Sequence, residues 1–244
     1  LLCIVGVWPA HAAPEPGTVT IVLGKEPENL DPGTTSEGGV GMVLLKNVLE
    51  PLTEVNPEDS KVTPRLATSW KKVDANTWQF TLRKGVKFHD GKEFDANAVI
   101  FNIERTYNKK VAAKVGIKYF SHFKMTGKAL DSVTLEIKTD KPEPLLPSLM
   151  STMSLCSPST PSEARTANPI GTGPYKFVKW IPGTQVVLER FDGYWGKRPQ
   201  VQKATYIWRG ESAVRAAMVG LGEADLAPYI AKQDANRPDM DQSY

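Results

Sequence analysis

The chain has 244 residues, of which 41% are apolar, and this is ample for a packed globular core rather than a disordered segment. Charged residues make up 23% of the sequence and leave a formal net charge of only +3. Such a balance lacks the basic excess that a phosphate backbone requires, so we expect no nucleic-acid partner.

The first residues carry the pattern of an export signal. An uninterrupted apolar run over 1–8 is followed by a proline and by an A-x-A cleavage pattern that ends at Ala12. We therefore expect a signal peptide that is cleaved after Ala12, because a membrane-spanning helix needs about 20 apolar residues. A buried first strand is the alternative interpretation. Cys3 lies inside the apolar run, so we expect no lipid anchor, and Cys156 as the only thiol of the mature chain, without a disulfide.

Strand and helix patterns alternate in the next part of the chain. The β-branched residues of 18–23 predict a strand that ends at Gly24, and a turn-rich loop over 26–33 follows it. Apolar residues at helical spacing predict a helix over 41–49 that is closed by a proline, and 52–55 is expected to be extended. A loop thus leaves the carboxyl end of the first predicted strand.

A hairpin pattern follows. Trp78, Phe80 and Leu82 alternate with polar residues, which is the period of a strand with one buried face. The sequence predicts turns on both sides of this strand, at 74–76 and at 89–91, where glycine supplies the positive φ of a tight turn.

An amphipathic helix is predicted after the hairpin. Asp95 is placed as the N-cap of a helix over 96–107, in which Val99, Ile103 and Tyr107 form a stripe on one face. Strands in a hairpin and strands between helical stretches together favour a mixed α/β or α+β fold.

Three blocks of sequence resemble one known family. The motif over 66–105, with its Leu-Arg-x-Gly-Val-x-Phe-His-Asp-Gly core, resembles the peptide, opine and nickel class of ABC substrate-binding proteins, solute-binding protein family 5. The block over 169–196 agrees with it, and its Phe-Asp-Gly-Tyr-Trp-Gly segment looks most like dipeptide binders. The block over 213–225 is similar to the helix and turn in which these proteins continue from their first lobe.

The resemblance implies an α/β (mixed α+β) fold of the periplasmic-binding-protein type II kind. This fold is a two-lobed clamp whose first lobe is interrupted by an inserted subdomain. The implied organisation is a truncated signal peptide at 1–12, a discontinuous first lobe at 13–46 and 168–240, an inserted subdomain at 47–167 and the start of a second lobe at 241–244. We expect the chain to be an N-terminal fragment that lacks the second lobe.

The function implied by the resemblance is ligand capture for import. A periplasmic, monomeric protein of this kind closes on a small ligand, foremost a dipeptide or oligopeptide, and delivers it to the transmembrane subunits of an ABC permease. Its contact with the membrane is peripheral, through that complex, and no cofactor and no enzyme activity are expected. A nickel chelate, haem, glutathione, an opine or a sugar are alternative ligands for the same fold.

The candidate ligand-binding residues are Gly24, Lys25, Glu26 and Pro27, because the resemblance implies that the loop after the first strand contributes to ligand contacts. The carboxylate of Glu26 is able to accept a hydrogen bond from an amine or an amide N–H. A solvated surface turn is the alternative interpretation. The acidic residue that anchors a peptide's α-amine in such proteins belongs to the second lobe, outside this chain.

A phosphate-binding interpretation fails at Gly171 and Gly173. The dinucleotide and P-loop spacings are absent, and Pro174 removes a backbone donor where a phosphate would need one. We expect the chain to cross between subdomains at this segment, where the glycines permit close backbone approach. Core or subdomain-interface positions are likewise expected for four tryptophans, Trp70, Trp78, Trp180 and Trp195.

Catalysis is the competing class of function, and the sequence offers little for it. The histidines His11, His89 and His122 are scattered without metal-ligand spacing, and a Gly-x-Ser-x-Gly elbow is absent. Cys156 has no base nearby in sequence. We expect no catalytic residue and no metal site, and keep a secreted hydrolase as the alternative from another class.

Overall fold

The computed structural model describes residues 16–31, 40–108, 118–160 and 168–235. The predicted signal peptide, its cleavage site after Ala12, and residues 241–244 lie outside the described parts of the chain.

Strands and helices are interspersed along the described residues, and the predicted mixed α/β fold class is confirmed. The elements in chain order are β1 (Thr18–Leu23), α1 (Val40–Val48), β2 (Thr53–Val55), β3 (Val62–Pro64), β4 (Ala67–Lys72), β5 (Thr77–Leu82), α2 (Ala96–Tyr107), β6 (Met125–Ala129), β7 (Thr134–Thr139), α3 (Leu146–Leu149), a 3₁₀ turn (Met150–Thr152), β8 (Tyr175–Ile181), β9 (Gln185–Arg190), β10 (Lys203–Trp208), α4 (Ser212–Gly220) and α5 (Lys232–Ala235).

The first sheet joins the beginning of the chain to its later part. Its strand order is β1-β10-β9-β8, with β1 parallel to β10 and the remaining pairs antiparallel. Apolar side chains from its strands and from α1 form one core, in which Leu23, Leu45, Leu188 and Tyr206 are buried. The strand predicted at 18–23 therefore completes a sheet whose other strands lie far downstream in sequence.

The second sheet is built from the middle of the chain. Its order is β4-β5-β7-β6, all antiparallel, and α2 packs across it. The predicted N-cap is confirmed, because the Oδ1 atom of Asp95 accepts a hydrogen bond from the Ala98 N–H over 2.9 Å. Val99 and Ile103 from the predicted stripe are buried in the second core beside Phe80.

The two sheets use separate stretches of sequence. Residues 18–23 and 175–208 build the first, and 67–139 build the second. The predicted division into a discontinuous first lobe and an inserted subdomain stays a prediction. Residues 171–174, which we name the crossing segment, lie between the two sheets in sequence. Its glycines, Gly171 and Gly173, approach the last backbone carbonyls of α1 closely.

Candidate functional site

Two loops leave the first sheet side by side. Strands β1 and β10 are parallel and end in register, with Leu23 opposite Trp208. The loop that begins at Gly24 and the loop that begins at Arg209 therefore start from the same edge of the sheet. In open α/β sheets, ligands bind outside the carboxyl ends of such parallel strands.

A third segment reaches the same place. Leu226 pairs with Ile21 in the parallel sense, on the side of β1 opposite to β10, and the chain continues from there past the end of β1. The three segments together form what we name the carboxyl edge, residues 24–29, 209–211 and 227–229.

The structure brings the four predicted ligand-binding residues together at the carboxyl edge. Gly24 and Lys25 are exposed, Glu26 is half-buried and Pro27 is buried. Gly24 and Lys25 thus offer the accessible surface, while Pro27 packs inward. Their contact with a ligand stays a prediction.

The carboxylate of Glu26 already accepts hydrogen bonds from the chain itself. The indole Nε1 of Trp180 donates to its Oε1 atom over 2.8 Å, and the Gly183 N–H donates to the same oxygen over 2.9 Å. Both donors belong to the hairpin between β8 and β9, whose turn has Gly183 at φ +73°. Glu26 therefore fastens the carboxyl edge to this hairpin, and its second oxygen, with a longer contact to Gly183, keeps accepting capacity.

The far end of the same loop is held by a buried ion pair. The guanidinium of Arg105, on α2, donates to both carboxylate oxygens of Asp31. Both side chains are nearly inaccessible, with 7% and 2% of their surface exposed. The loop after β1 is thus bound to the first sheet through Glu26 and to helix α2 through Asp31. These two attachments limit the conformational freedom of the loop before any ligand binds.

Sequence reasoning missed Arg215, which lies beneath the carboxyl edge. Its side chain is 5% exposed, and its guanidinium donates to the carbonyl oxygens of Arg209 and Gly210 over 2.8 and 2.6 Å. It also donates to the Tyr229 carbonyl over 3.1 Å and lies 3.6 Å from where a Cβ of Gly24 would be. One side chain on α4 therefore contacts all three segments.

A second missed residue, Glu50, joins the two sheets. Its carboxylate is 1% exposed and accepts from Arg65 Nε and Thr172 Oγ1, each over 2.8 Å. It also accepts from Tyr194 OH over 3.1 Å and from Trp195 Nε1 over 2.8 Å. We name this cluster the Glu50 junction. In the sequence, the one indication of this buried role was an acidic residue between apolar neighbours.

The Phe-Asp-Gly-Tyr-Trp-Gly segment supplies aromatic residues to the Glu50 junction. Two guanidinium groups make cation–π contacts with the Trp195 ring, that of Arg83 at 4.1 Å and that of Arg65 at 5.6 Å from the ring centroid. Burial raises the pKa of Tyr194 to about 12. Trp195 is partly buried against the core of the second sheet, and this segment lies at the junction rather than at the carboxyl edge.

His89 joins the hairpin turn of the middle segment to the crossing segment. The Gly171 N–H donates to its Nδ1 atom over 3.3 Å, so Nε2 carries the proton and donates to the Gly173 carbonyl over 2.9 Å. Burial, as the first cause, lowers the pKa of His89 to about 4. Its ring also meets the edge of Phe191, 4.9 Å away. The neutral imidazole is therefore the form that fits here.

The two glycines of the crossing segment are where the backbones approach most closely. A Cβ at Gly171 would lie 2.0 Å from the Val48 carbonyl oxygen, and one at Gly173 would lie 2.5 Å from the Asn47 carbonyl oxygen. The Gly173 N–H donates to the Val48 carbonyl over 3.0 Å. The expectation that these glycines permit close backbone approach is confirmed, and they cap the end of α1.

Within the described ranges, no group of three histidine, cysteine or acidic residues is arranged to hold a metal ion. None of the helices in those ranges is both long and apolar enough to cross a membrane. His122 pairs with Glu143 over 3.4 Å, and Cys156 is a buried thiol.

The fold is that of the periplasmic binding proteins, with the loops of the candidate site at one edge of its first sheet. Residues 61–244 match the family described as bacterial extracellular solute-binding proteins, family 5, and the chain belongs to this family.

Named relatives agree with the family assignment. The chain is 30% identical over 244 residues to the dipeptide-binding protein of Escherichia coli. This match covers 89% of this chain and 45% of that protein. It is 30% identical to the glutathione-binding protein GsiB of Pectobacterium atrosepticum, covering 94% of this chain and 44% of that protein. A DppA periplasmic binding protein from Helicobacter pylori, solved with the peptide STSA, superposes with a TM-score of 0.74 at 26% identity, covering 85% of this chain and 45% of that one. The chain thus spans less than half the length of these relatives.

Proposed function

We propose that this chain is the first-lobe portion of an extracytoplasmic solute-binding protein that captures dipeptides or oligopeptides for an ABC importer. The observation that carries the proposal is the carboxyl edge, where Gly24 and Lys25 stay accessible while Glu26 and Asp31 hold the loop in place. A preset loop lowers the ordering cost of binding. In this proposal Gly24, Lys25, Glu26 and Pro27 contact the ligand.

The fold organisation supports clamp binding. In the proposed protein the first lobe comprises 13–46 and 168–240, the inserted subdomain comprises 47–167, and a second lobe closes over the carboxyl edge. Binding without chemical turnover is proposed, and the protein delivers its ligand to the transmembrane subunits of a permease. Periplasmic location follows from cleavage after Ala12, which mass spectrometry of the mature N-terminus tests directly.

Thermal-shift measurement on the full-length protein tests the ligand class. A ligand at 100 times its Kd stabilises a protein by about 2.7 kcal/mol, which is readily visible as a rise in Tm. Dipeptides, tripeptides and longer peptides are expected to raise Tm, and the bound peptide is expected to be recovered intact by mass spectrometry. Cleaved peptide without retention would favour a secreted hydrolase instead.

Glutathione is a second candidate ligand, favoured by the similarity to the glutathione-binding protein GsiB. It contains peptide bonds and free carboxylates, so it belongs in the same screen. A rise in Tm with glutathione and none with dipeptides or oligopeptides would replace the peptide assignment, and a nickel chelate, haem, an opine or a sugar complete the panel.

A further inference from the structure

Tyr229 has an unusual backbone at the carboxyl edge. Its φ is +59°, in the left-handed region, and its side chain is 74% exposed. Residues other than glycine, asparagine and aspartate rarely adopt this conformation, because their Cβ crowds the neighbouring carbonyl. The other described non-glycine residue with positive φ, Ser60, lies in the tight turn between β2 and β3, where Asn56 and Lys61 bond across the turn.

Tyr229 has no such hairpin around it, and contacts with α4 hold its backbone instead. Arg215 donates to its carbonyl oxygen over 3.1 Å. Two residues later, the Ala231 N–H donates to the Ser212 hydroxyl over 2.8 Å. The two anchoring side chains belong to the first turns of α4, so the segment is fixed on both sides of the exposed ring.

The charged guanidinium of Arg215 is buried, which costs free energy. Among the described residues, its guanidinium donates only to backbone carbonyls, and its buried Nε has no hydrogen-bond partner there. Arg215 forms no ion pair with the described residues, and burying a charge without one is unfavourable. A strained residue persists only where its surroundings over-determine it, and such residues cluster at ligand-binding sites.

We propose that Tyr229 contacts the ligand directly, and that Arg215 is the positioning residue that presets it. The ring is an exposed aromatic surface, and Arg215, which holds its backbone, also donates to the Gly210 carbonyl and lies beside Gly24. Such a surface suits a planar peptide group or an apolar side chain, with little rotamer entropy to lose. This inference rests on the proposed peptide function and adds a residue outside the loop after β1.

Tyr229→Gly in the full-length protein separates binding from folding. Glycine adopts the left-handed conformation freely, so the Tm of the unliganded variant is expected to equal or exceed that of the wild type. The Kd for the tightest-binding peptide, measured by calorimetry, is expected to rise about tenfold or more, as when an aromatic anchor is lost. Tyr229→Phe keeps the ring and is expected to bind within about twofold of the wild type.

Three further variants complete the test. Leu221→Ala is the matched control, because Leu221 is 72% exposed but lies at the end of α4, away from the carboxyl edge. It is expected to leave the Kd unchanged. Arg215→Lys is expected to restore part of the affinity that Arg215→Met loses, and hydrogen exchange in Arg215→Met is expected to quicken at 227–229.

The outcomes distinguish this inference from the proposed function. If the wild type binds no peptide, the proposed function fails. If the wild type binds and Tyr229→Gly binds equally well, the role of Tyr229 is refuted while the proposed function stands. A loss of Tm in Tyr229→Gly that parallels the loss of affinity would assign Tyr229 a structural role and overturn the inference.

Discussion

The indole N–H of Trp180 and the carboxylate of Glu26 are 2.8 Å apart and join two segments separated by 154 residues. One belongs to the strand β8 at the outer side of the first sheet, and the other to the loop after β1. Since Gly183 donates to the same carboxylate, two hydrogen bonds connect the hairpin to the loop. A residue predicted to bind ligand therefore also fixes the shape of the carboxyl edge.

A double-mutant cycle measures this contact. Trp180→Phe removes the donor and keeps an aromatic ring, and Glu26→Gln removes the charge. We expect a coupling free energy of about 1–2 kcal/mol, as is usual for a hydrogen bond to a charged group. Urea unfolding of the four proteins gives the value. A cycle between Trp180→Phe and Glu189→Gln, an exposed residue that pairs with Lys176, is the control and should give none.

The Glu50 junction is expected to be a main source of stability. Glu50→Ala leaves Arg65, Tyr194 and Trp195 without their shared acceptor, and breaking such a buried pair costs about 3 kcal/mol or more. Glu50→Gln keeps one acceptor oxygen and should lose less. Urea unfolding is the measurement. Glu54→Gln is the matched control, since that carboxylate is 56% exposed and 3.7 Å from Arg65, and it should cost under about 0.5 kcal/mol.

Gly171→Ala is expected to be severely destabilising. Its Cβ would lie 2.0 Å from the Val48 carbonyl oxygen, so α1 or the crossing segment must shift. We expect a loss of about 3 kcal/mol or more in the free energy of unfolding, measured with urea. Gly210→Ala is the control, because a Cβ there meets nothing within 4 Å. Equal stability of the two variants would contradict the packing described here.

The stability of the protein should depend on the protonation of His89. Its folded pKa of about 4 lies below the ordinary 6.5, so the fold favours the neutral ring. This contribution is complete above pH 6.5 and is lost as the pH falls from 6.5 towards 4, by about 3 kcal/mol in total. Urea unfolding of the wild type and of His89→Gln near pH 7 and near pH 4 gives the difference. A parallel decline in both proteins would exclude His89 as the cause.

The parts of the fold that local chemistry determines were predictable. The strand at 18–23 and the helix at 96–107 appear with their predicted bounds, because β-branched residues and the Asp95 cap act within a few residues. The helix predicted at 41–49 is present one residue earlier, as Val40–Val48. The turn at 89–91 forms with Gly91 at φ +83°. These elements follow from neighbours in sequence.

The residues that join distant segments were not predictable. Glu50 accepts hydrogen bonds from three residues that lie 122–145 positions away, and the apolar stretch around it does not indicate which residues these are. Arg215 bonds to backbone carbonyls, which every residue type provides, so its partners leave no signature in the sequence. The loop at 24–27 was located because it follows a recognisable strand, whereas Tyr229 follows none.

The parallel pairing of β1 with β10 sets an order of assembly. Strands β4 to β7 find their partners within 67–139, so the second sheet can form as soon as that stretch has been synthesised. Thr18 cannot pair until Lys203 has been synthesised. Closing the loop between these two residues carries an entropic cost that contacts between sequence neighbours do not offset. The carboxyl edge is therefore the last part of the first sheet to be completed, and β1 stays unpaired with β10 until residues 203–208 have been synthesised.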